Sequence, residues 1–394
     1  MKKIILPILT ISFALFTSTS ANAVNLTVGN ILVERLGNGT TAITSAATDI
    51  AVLEFTTSGS AIQTISFPST GATQQTDSGS ATSNGSLNSY NGFVAVTGYN
   101  NSSGTASVAS QNTKLTSVLD NTGTVVSRVT YPTTGTVPFA ANNLRSAIAT
   151  GSTTFYASGT GSGTTGGVWY SDGASFTQVS STATGQPTNL RNIEIFNNQL
   201  YVSSASGTFL GISKIGTGLS TTSGQTASLE INMGTGASPY GFVMFDTNRD
   251  SLLDTAFIAD DRAATGGGLG KWTFNGTTWV NNYSLLFASA ATGLGLAATT
   301  TANYAGIRGL TGSYDDATGA FTLFATTTET ASNRIVSVVD NGARPTTYTT
   351  LATAGSNTLF RGIDIVTVPE PSSATLLGLG FLALLGVRRL NRKA

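Results

Sequence analysis

Leu144-Arg145-Ser146, Leu190-Arg191-Asn192, Ile307-Arg308-Gly309 and Phe360-Arg361-Gly362 are four copies of one phrase: an apolar residue, an arginine, a small residue, then a strand-forming run. The arginines stand 46, 117 and 53 residues apart. The middle interval is about double the others, and near its centre Tyr240-Gly241-Phe242 opens a similar run without the arginine. A second strand is predicted after each copy, near Thr154, Leu200, Ala256 and Phe321. A third is predicted near Gly167, Gly211, Gly270 and Arg334, and fourth strands are clearest near Ser175 and Thr278. Four strands in each repeat of roughly 45 to 60 residues is the period of a β-propeller blade.

The composition supports an all-β chain. No stretch of the body keeps an apolar period of 3.6 residues. Short apolar runs are separated instead by turn pairs: Asn91-Gly92, Asp172-Gly173, Asn275-Gly276 and Asn341-Gly342. Ser, Thr and Gly are abundant, as in a disordered stalk, but Phe155, Trp169, Phe257, Trp272 and Phe324 are core formers that such a stalk lacks. Gly266-Gly267-Gly268 has no following Lys-Ser/Thr and opens no helix, so it reads as a strand connection rather than a phosphate loop.

Blades are expected to begin near Asn88, Asn143, Asn189, Pro239 and Tyr304. The last strand, near 359–366, has no partners after it, and its partners are expected among the first strands of the body, near 30–35, 51–56 and 62–67. The prediction is therefore a single six-bladed propeller over residues 24–368, with the two chain ends closing one blade and hiding its sheet edges. A seven-bladed ring and a pair of β-sandwiches stay open, because the repeat is degenerate between Asn88 and Pro138.

Two absences narrow the chemistry. The chain has no cysteine and no histidine. Disulfides, thiolate metal sites, histidine nucleophile systems and most zinc sites are excluded. Carboxylate, lysine and tyrosine chemistry remain, which turns the expectation toward a non-catalytic protein with no cofactor.

The ends carry a different kind of signal. Lys2 and Lys3 precede an apolar run from Ile4 to Phe16, and Ala21-Asn22-Ala23 is a small-x-small cleavage site. Residues 1–23 thus read as a helical signal peptide, with an uncleaved anchor as the alternative. At the other end, Pro369-Glu370-Pro371 is followed by an apolar run from Ala374 to Val387 and then by Arg388, Arg389, Arg392 and Lys393. That run predicts a short helical membrane segment, below the roughly 20 residues that cross a bilayer comfortably. The arginines beyond it are expected to stay cytoplasmic, leaving the body outside. A cleaved, transient anchor and an ordinary permanent one are both compatible with so short a span.

With its rigid Pro-acid-Pro element, short greasy helix and basic end, residues 369–394 resemble the PEP-CTERM sorting tail of Gram-negative exported proteins. The resemblance covers about a fifteenth of the chain. It implies passage through the export machinery, a transient hold in the inner membrane, and processing by an exosortase-type membrane protease. It also implies release to the cell surface or beyond, and an association with exopolysaccharide or biofilm. Without the two end segments the body has 13 basic and 18 acidic residues, a net charge near −5, which offers no footprint for nucleic acid.

Two groups of body residues invite a ligand. Arg145, Arg191, Arg308 and Arg361 form either a guanidinium ring at the central channel, ready for carboxylate or sulfate, or stems packed between blades that bond neighbouring carbonyls. Along each strand the arginine shares a face with the residue two further on: Arg145 with Ala147, Arg191 with Ile193, Arg308 with Leu310 and Arg361 with Ile363. Asp246, Asn248, Asp250 and Asp254 have the spacing of calcium ligands, but Ser251 and Phe257 replace the glycine and closing glutamate of an EF-hand loop. The alternative there is a polar hairpin turn. Glu194, Asp246, Asp260, Asp261 and Asp364 are the acids that could serve a hydrolase or lyase acting on a sugar or lactone. The favoured reading is a surface binding or matrix protein.

Overall fold

The structure is a computed structural model that describes residues 25–288, 295–298 and 303–367. The expected signal peptide and the tail, with its membrane helix, lie outside those residues.

The described chain is all-β and propeller-like. Four sheets each start at one of the repeated runs and proceed outward as an antiparallel meander. The first is Leu144–Ala149, Phe155–Gly159, Gly167–Ser171 and Phe176–Ser180. The second is Leu190–Phe196, Gln199–Ser204, Gly211–Ile215 and Ala227–Asn232. The third is Pro239–Phe245, Thr255–Asp260, Gly268–Phe274 and Trp279–Ala288, extended by the short strands Leu296–Ala297 and Tyr304–Ala305. The fourth is Ile307–Asp315, Ala320–Thr327, Arg334–Asp340 and Thr349–Thr353.

A fifth, nine-stranded sheet holds both ends of the body. In it Leu359–Ile365 pairs antiparallel with Ile31–Leu36, setting Ile31 opposite Ile365 and Val33 opposite Ile363. Ala47–Phe55 and Ala61–Ser66 continue outward. Leu87–Tyr90, Phe93–Tyr99, Lys114–Leu119 and Val125–Thr130 form a second meander in the same sheet, joined to the first through Thr76–Ser78. Asn91 and Gly92 make its first turn with φ of 50° and 78°, the doubly positive backbone that a two-residue hairpin needs.

The core is a series of layers, one between the two meanders of the nine-stranded sheet and the others shared by two successive sheets. Ala95 and Val118 pack with Ala147, Phe155 and Trp169; Ile148, Tyr156 and Val168 pack with Ile193 and Val202. Tyr201 and Ile212 meet Phe242, Ile258 and Trp272, and Phe257 and Leu269 meet Leu310 and Leu323. Phe324 and Ile335 meet Ile31, Val33 and Ile363, so the last sheet seals against the seam where the chain ends pair. Each sheet is greasy on both faces because it serves two layers, which explains why inner and middle strands read as near-continuous apolar runs rather than alternating ones.

Candidate ligand site at the channel mouth

The repeated phrase is a β-bulge. Pairing slips between Leu144 and Ser146, between Leu190 and Ile193, between Pro239 and Phe242, between Ile307 and Leu310, and between Phe360 and Ile363. Two residues then oppose one, and the side chains are re-aimed. This corrects the face assignment from the unbroken pleat. Arg191 and Asn192 line one cavity together, as do Tyr240 and Gly241, Arg308 and Gly309, and Arg361 and Gly362. In a regular strand the side chains of Arg191 and Asn192 would point to opposite faces.

The small residue of each phrase has its own reason. A Cβ on Gly362 would stand 2.1 Å from the Leu87 nitrogen, and one on Gly309 would stand 2.7 Å from the Arg361 carbonyl oxygen. The bulges of successive inner strands thus touch backbone to backbone. Where the residue is polar it bonds instead: the Ser146 hydroxyl donates to Asn192 Oδ1 at 2.7 Å and Asn88 Nδ2 donates to Ser146 Oγ at 2.8 Å.

The four arginines have separate fates. Arg361 is 7 % exposed and donates to the carbonyls of Ser78 (2.8 Å), Gly79 (3.1 Å), Asn84 (3.2 Å) and Ala81. Arg145 donates to Asn189 Oδ1 at 2.6 Å and to the Leu190 carbonyl at 3.0 Å, tying one blade to the base of the next. Burial, and then the charge of Arg191, lower its pKa to about 10. Arg308 pairs with Asp261 at 3.2 Å.

Arg191 differs from the other three. Its guanidinium lies 4.1 Å from the centre of the Tyr240 ring, with Arg308 5.5 Å from the same ring. Its Nε and Nη1 are buried with no hydrogen-bond acceptor, and among the described residues it has no carboxylate partner. The Tyr240 hydroxyl is 3.1 Å from Ser83 Oγ. Tyr240 occupies the arginine slot of the third repeat and turns that slot into a cation–π platform. Sequence reading noted the run but not this role; the signal was its position in the repeat.

Arg191, Arg308 and Arg361 line a cavity of about 50 Å³ with Thr82, Asn84 and Glu329. Glu329 Oε1 is engaged by Arg334 at 2.6 Å, while its Oε2 is buried without a donor. The volume admits a few water molecules or a small anion, well short of the ~300 Å³ of a pocket that encloses a whole organic ligand.

Two of the acids lie further along the inner strands Leu190–Phe196 and Leu359–Ile365. Glu194 Oε1 accepts from Asn192 Nδ2 at 2.9 Å. Asp364 accepts from Thr311 Oγ1 at 2.7 Å, from the Ile365 amide at 2.8 Å and from the Ser89 amide. Burial first, and then the charge of Asp364, hold the Glu194 pKa well above the carboxylate range. Burial pushes Asp364 up to about 6 against the lowering pull of its hydrogen bonds. The folded value lies above the ordinary 3.8, so the stability tied to this group is full below that pH and is lost as pH rises through 6. Asp364→Asn is expected to flatten this fall, worth about 3 kcal/mol, in urea midpoints measured from pH 4 to 7.

The remaining acids lie apart from this pair. Asp260 binds Arg262 at 2.7 Å, and Asp261 binds Arg308. In the 246–254 loop, Asp246 accepts from the amides of Asp250 (3.2 Å) and Ser251 (2.8 Å). Asn248 bonds Asp250, and both Asp254 oxygens accept from Thr247. These oxygens serve the loop's own donors and cap a hairpin between Pro239–Phe245 and Thr255–Asp260. Among the described residues no three acidic side chains converge as a metal site.

Comparison with known proteins adds one firm result. The model of the PEP-CTERM protein-sorting motif matches residues 367–392. No curated protein matches the chain. Among solved structures, AofleA from Arthrobotrys oligospora is similar at 9 % identity over 88 % of this chain and 92 % of that one, with a TM-score of 0.45. A 6-phosphogluconolactonase candidate from Bacteroides uniformis is similar at 12 % identity over 82 % of each chain, with a TM-score of 0.42. Scores this low carry no argument about activity. The motif implies an exported protein that is sorted by an exosortase. The chain is thus an all-β, propeller-like body that ends in a PEP-CTERM protein-sorting motif.

Proposed function

We propose that this protein is a cell-surface or matrix β-propeller that binds an acidic polysaccharide through its channel mouth and does not transform it. The observation that carries the reading is Arg191: a guanidinium on the wall of a small cavity, flanked by Tyr240 and Arg308, with no carboxylate paired to it among the described residues. A buried or half-buried cation of this kind fits a carboxylate or sulfate group presented by a larger chain. The cavity takes the anionic group, while the rest of the polymer stays outside.

A six-bladed ring supports the reading, since it brings the arginines of different blades to one mouth. In favour of six, the inner strands 87–90, 144–149, 190–196, 239–245, 307–315 and 359–365 pack each against the next and the last against the first.

Titration calorimetry of the secreted protein is expected to show binding of a polyuronate and none of neutral dextran. Arg191→Gln should weaken that binding about 10- to 100-fold, the worth of one charge-assisted contact, and added salt should weaken the wild type. Equal binding of dextran, or an unchanged affinity in the variant, would overturn the proposal.

The sorting half of the reading has its own measurement. Intact mass and terminal peptides of the released protein are expected to start at Val24 and to stop before Ala374; recovery of a peptide reaching Ala394 rules out tail cleavage. A hydrolase or lyase acting on a sugar or lactone is the second reading. It is favoured by Glu194 and Asp364, two carboxylates of one channel close enough to feel each other's charge. Neither lines the mouth cavity, which is why binding is preferred.

A further inference from the structure

The unbalanced charge at the mouth has a counterpart of opposite sign beneath it. Glu34, in the strand Ile31–Leu36, is 0 % exposed, and neither carboxylate oxygen has a hydrogen-bond donor. Asp77 is 1 % exposed. Its Oδ1 accepts from the Ser78 amide at 2.6 Å and from Asn84 Nδ2 at 2.9 Å, while its Oδ2 has no donor. Asn84 Oδ1 is likewise buried and without a donor.

The three side chains belong to one cluster. Asn84 bonds Asp77, the Glu34 and Asp77 carboxyls feel each other's charge, and a Cβ on Gly85 would stand 2.4 Å from Glu34 Oε1. Four acceptor oxygens of this cluster are thus buried without a proton donor.

Arg361 does not resolve this. Its charge reaches both acids, yet its guanidinium hydrogens go to the carbonyls of Ser78, Gly79, Ala81 and Asn84. Burial pushes the pKa of both acids up, that of Glu34 well above the carboxylate range; ionised together against one guanidinium, they would leave the cluster negative. An ionised carboxylate buried without donors costs several kcal/mol. Oxygens of carboxylate and amide, all acceptors, are what a hard cation takes as ligands. The contrast with the 246–254 loop is direct, because there the loop's own amides fill the oxygens.

We propose that Glu34, Asp77 and Asn84 form a buried structural site for a hard cation of the calcium class, which fixes the 76–86 loop to the seam where the chain ends meet. Ser83 of that loop bonds Tyr240, and Thr82 to Ser86 form one wall of the mouth cavity. The ion therefore orders part of the ligand site without touching the ligand. The inference stands on Glu34, Asp77 and Asn84 alone, so it survives if the anion reading fails.

The test uses the mature protein stripped with chelator in choline chloride buffer, then titrated with CaCl2. The expected result is a saturable rise in Tm of roughly 5 °C at a hundredfold excess over Kd. Native mass spectrometry should find one calcium per chain. Glu34→Gln should abolish both signals, and Asn84→Ser, the milder change, should weaken the calcium affinity. Asp250→Asn, in the self-satisfied loop, should leave both as in the wild type.

No Tm response to calcium would overturn the proposal. So would a response lost in Asp250→Asn but kept in Glu34→Gln. A calcium-independent stability that falls as pH rises even in Asp364→Asn, with that remaining fall abolished by Glu34→Gln, would overturn it in favour of a proton shared between Glu34 and Asp77.

Discussion

Arg361→Met is expected to destabilise the protein by about 4 kcal/mol. Methionine keeps the packed stem but removes every donor. The carbonyls of Ser78, Gly79, Ala81 and Asn84 then lose their common partner, and of the four only Ser78 lies in a strand. Glu34 and Asp77 lose the positive charge that partly offsets them. The measurement is urea unfolding, where the midpoint should fall with an unchanged m-value. Arg249→Met, on an exposed loop where the partner is Asp316, should leave the midpoint where it is. Equal midpoints for the Arg361 variant and the wild type would mean that the guanidinium is a bystander.

Gly362→Val is expected to cost about 3 kcal/mol or more, through overpacking that no rotamer relieves. The first carbon added there would sit 2.1 Å from the Leu87 nitrogen and 2.5 Å from the Gly85 carbonyl oxygen. Both obstacles are backbone of a neighbouring inner strand and the turn that leads into it, so the two segments must part. Gly355→Ala is the control, since the nearest atom to its new methyl, Thr358 Oγ1, is 3.7 Å away. Its midpoint should match the wild type. The same urea series reads the midpoint of the Gly362→Val variant, and a shift below about 1 kcal/mol would show that the strands have room to move.

Much of this fold was legible in the sequence because the inner and middle strands are buried on both faces. A run such as Phe321 to Ala325 stands out by its hydrophobicity alone. Fourth strands fared worse. Ala227–Asn232 and Thr349–Thr353 are mostly exposed or half-buried and carry no apolar signature, because an outermost strand faces water. Thr76–Ser78 is only three residues long, too short for any periodic signal.

Site chemistry was legible in position but not in role. The repeat located Arg145, Arg191, Arg308 and Arg361 correctly as equivalent slots. Which of them bonds carbonyls and which faces the cavity depends on the loop or strand that the neighbouring blade presents, and one blade's sequence says nothing of its neighbour. The 246–254 loop shows the opposite case: regular spacing of oxygens suggested a metal, and the loop's own amides take those oxygens up.

By itself, the sequence determined the all-β class, the repeat, the strand that joins the two ends of the body, and the sorting motif at its end, because each is a local pattern of residue types or a period. Only the tertiary structure decided that the Arg-small phrase is a bulge, that Tyr240 stands between Arg191 and Arg308, and that Glu34 meets Asp77 and Asn84 beneath Arg361. A bulge is a register between two strands, and a charge cluster is a meeting of residues far apart in the chain. Neither can be read from one strand alone.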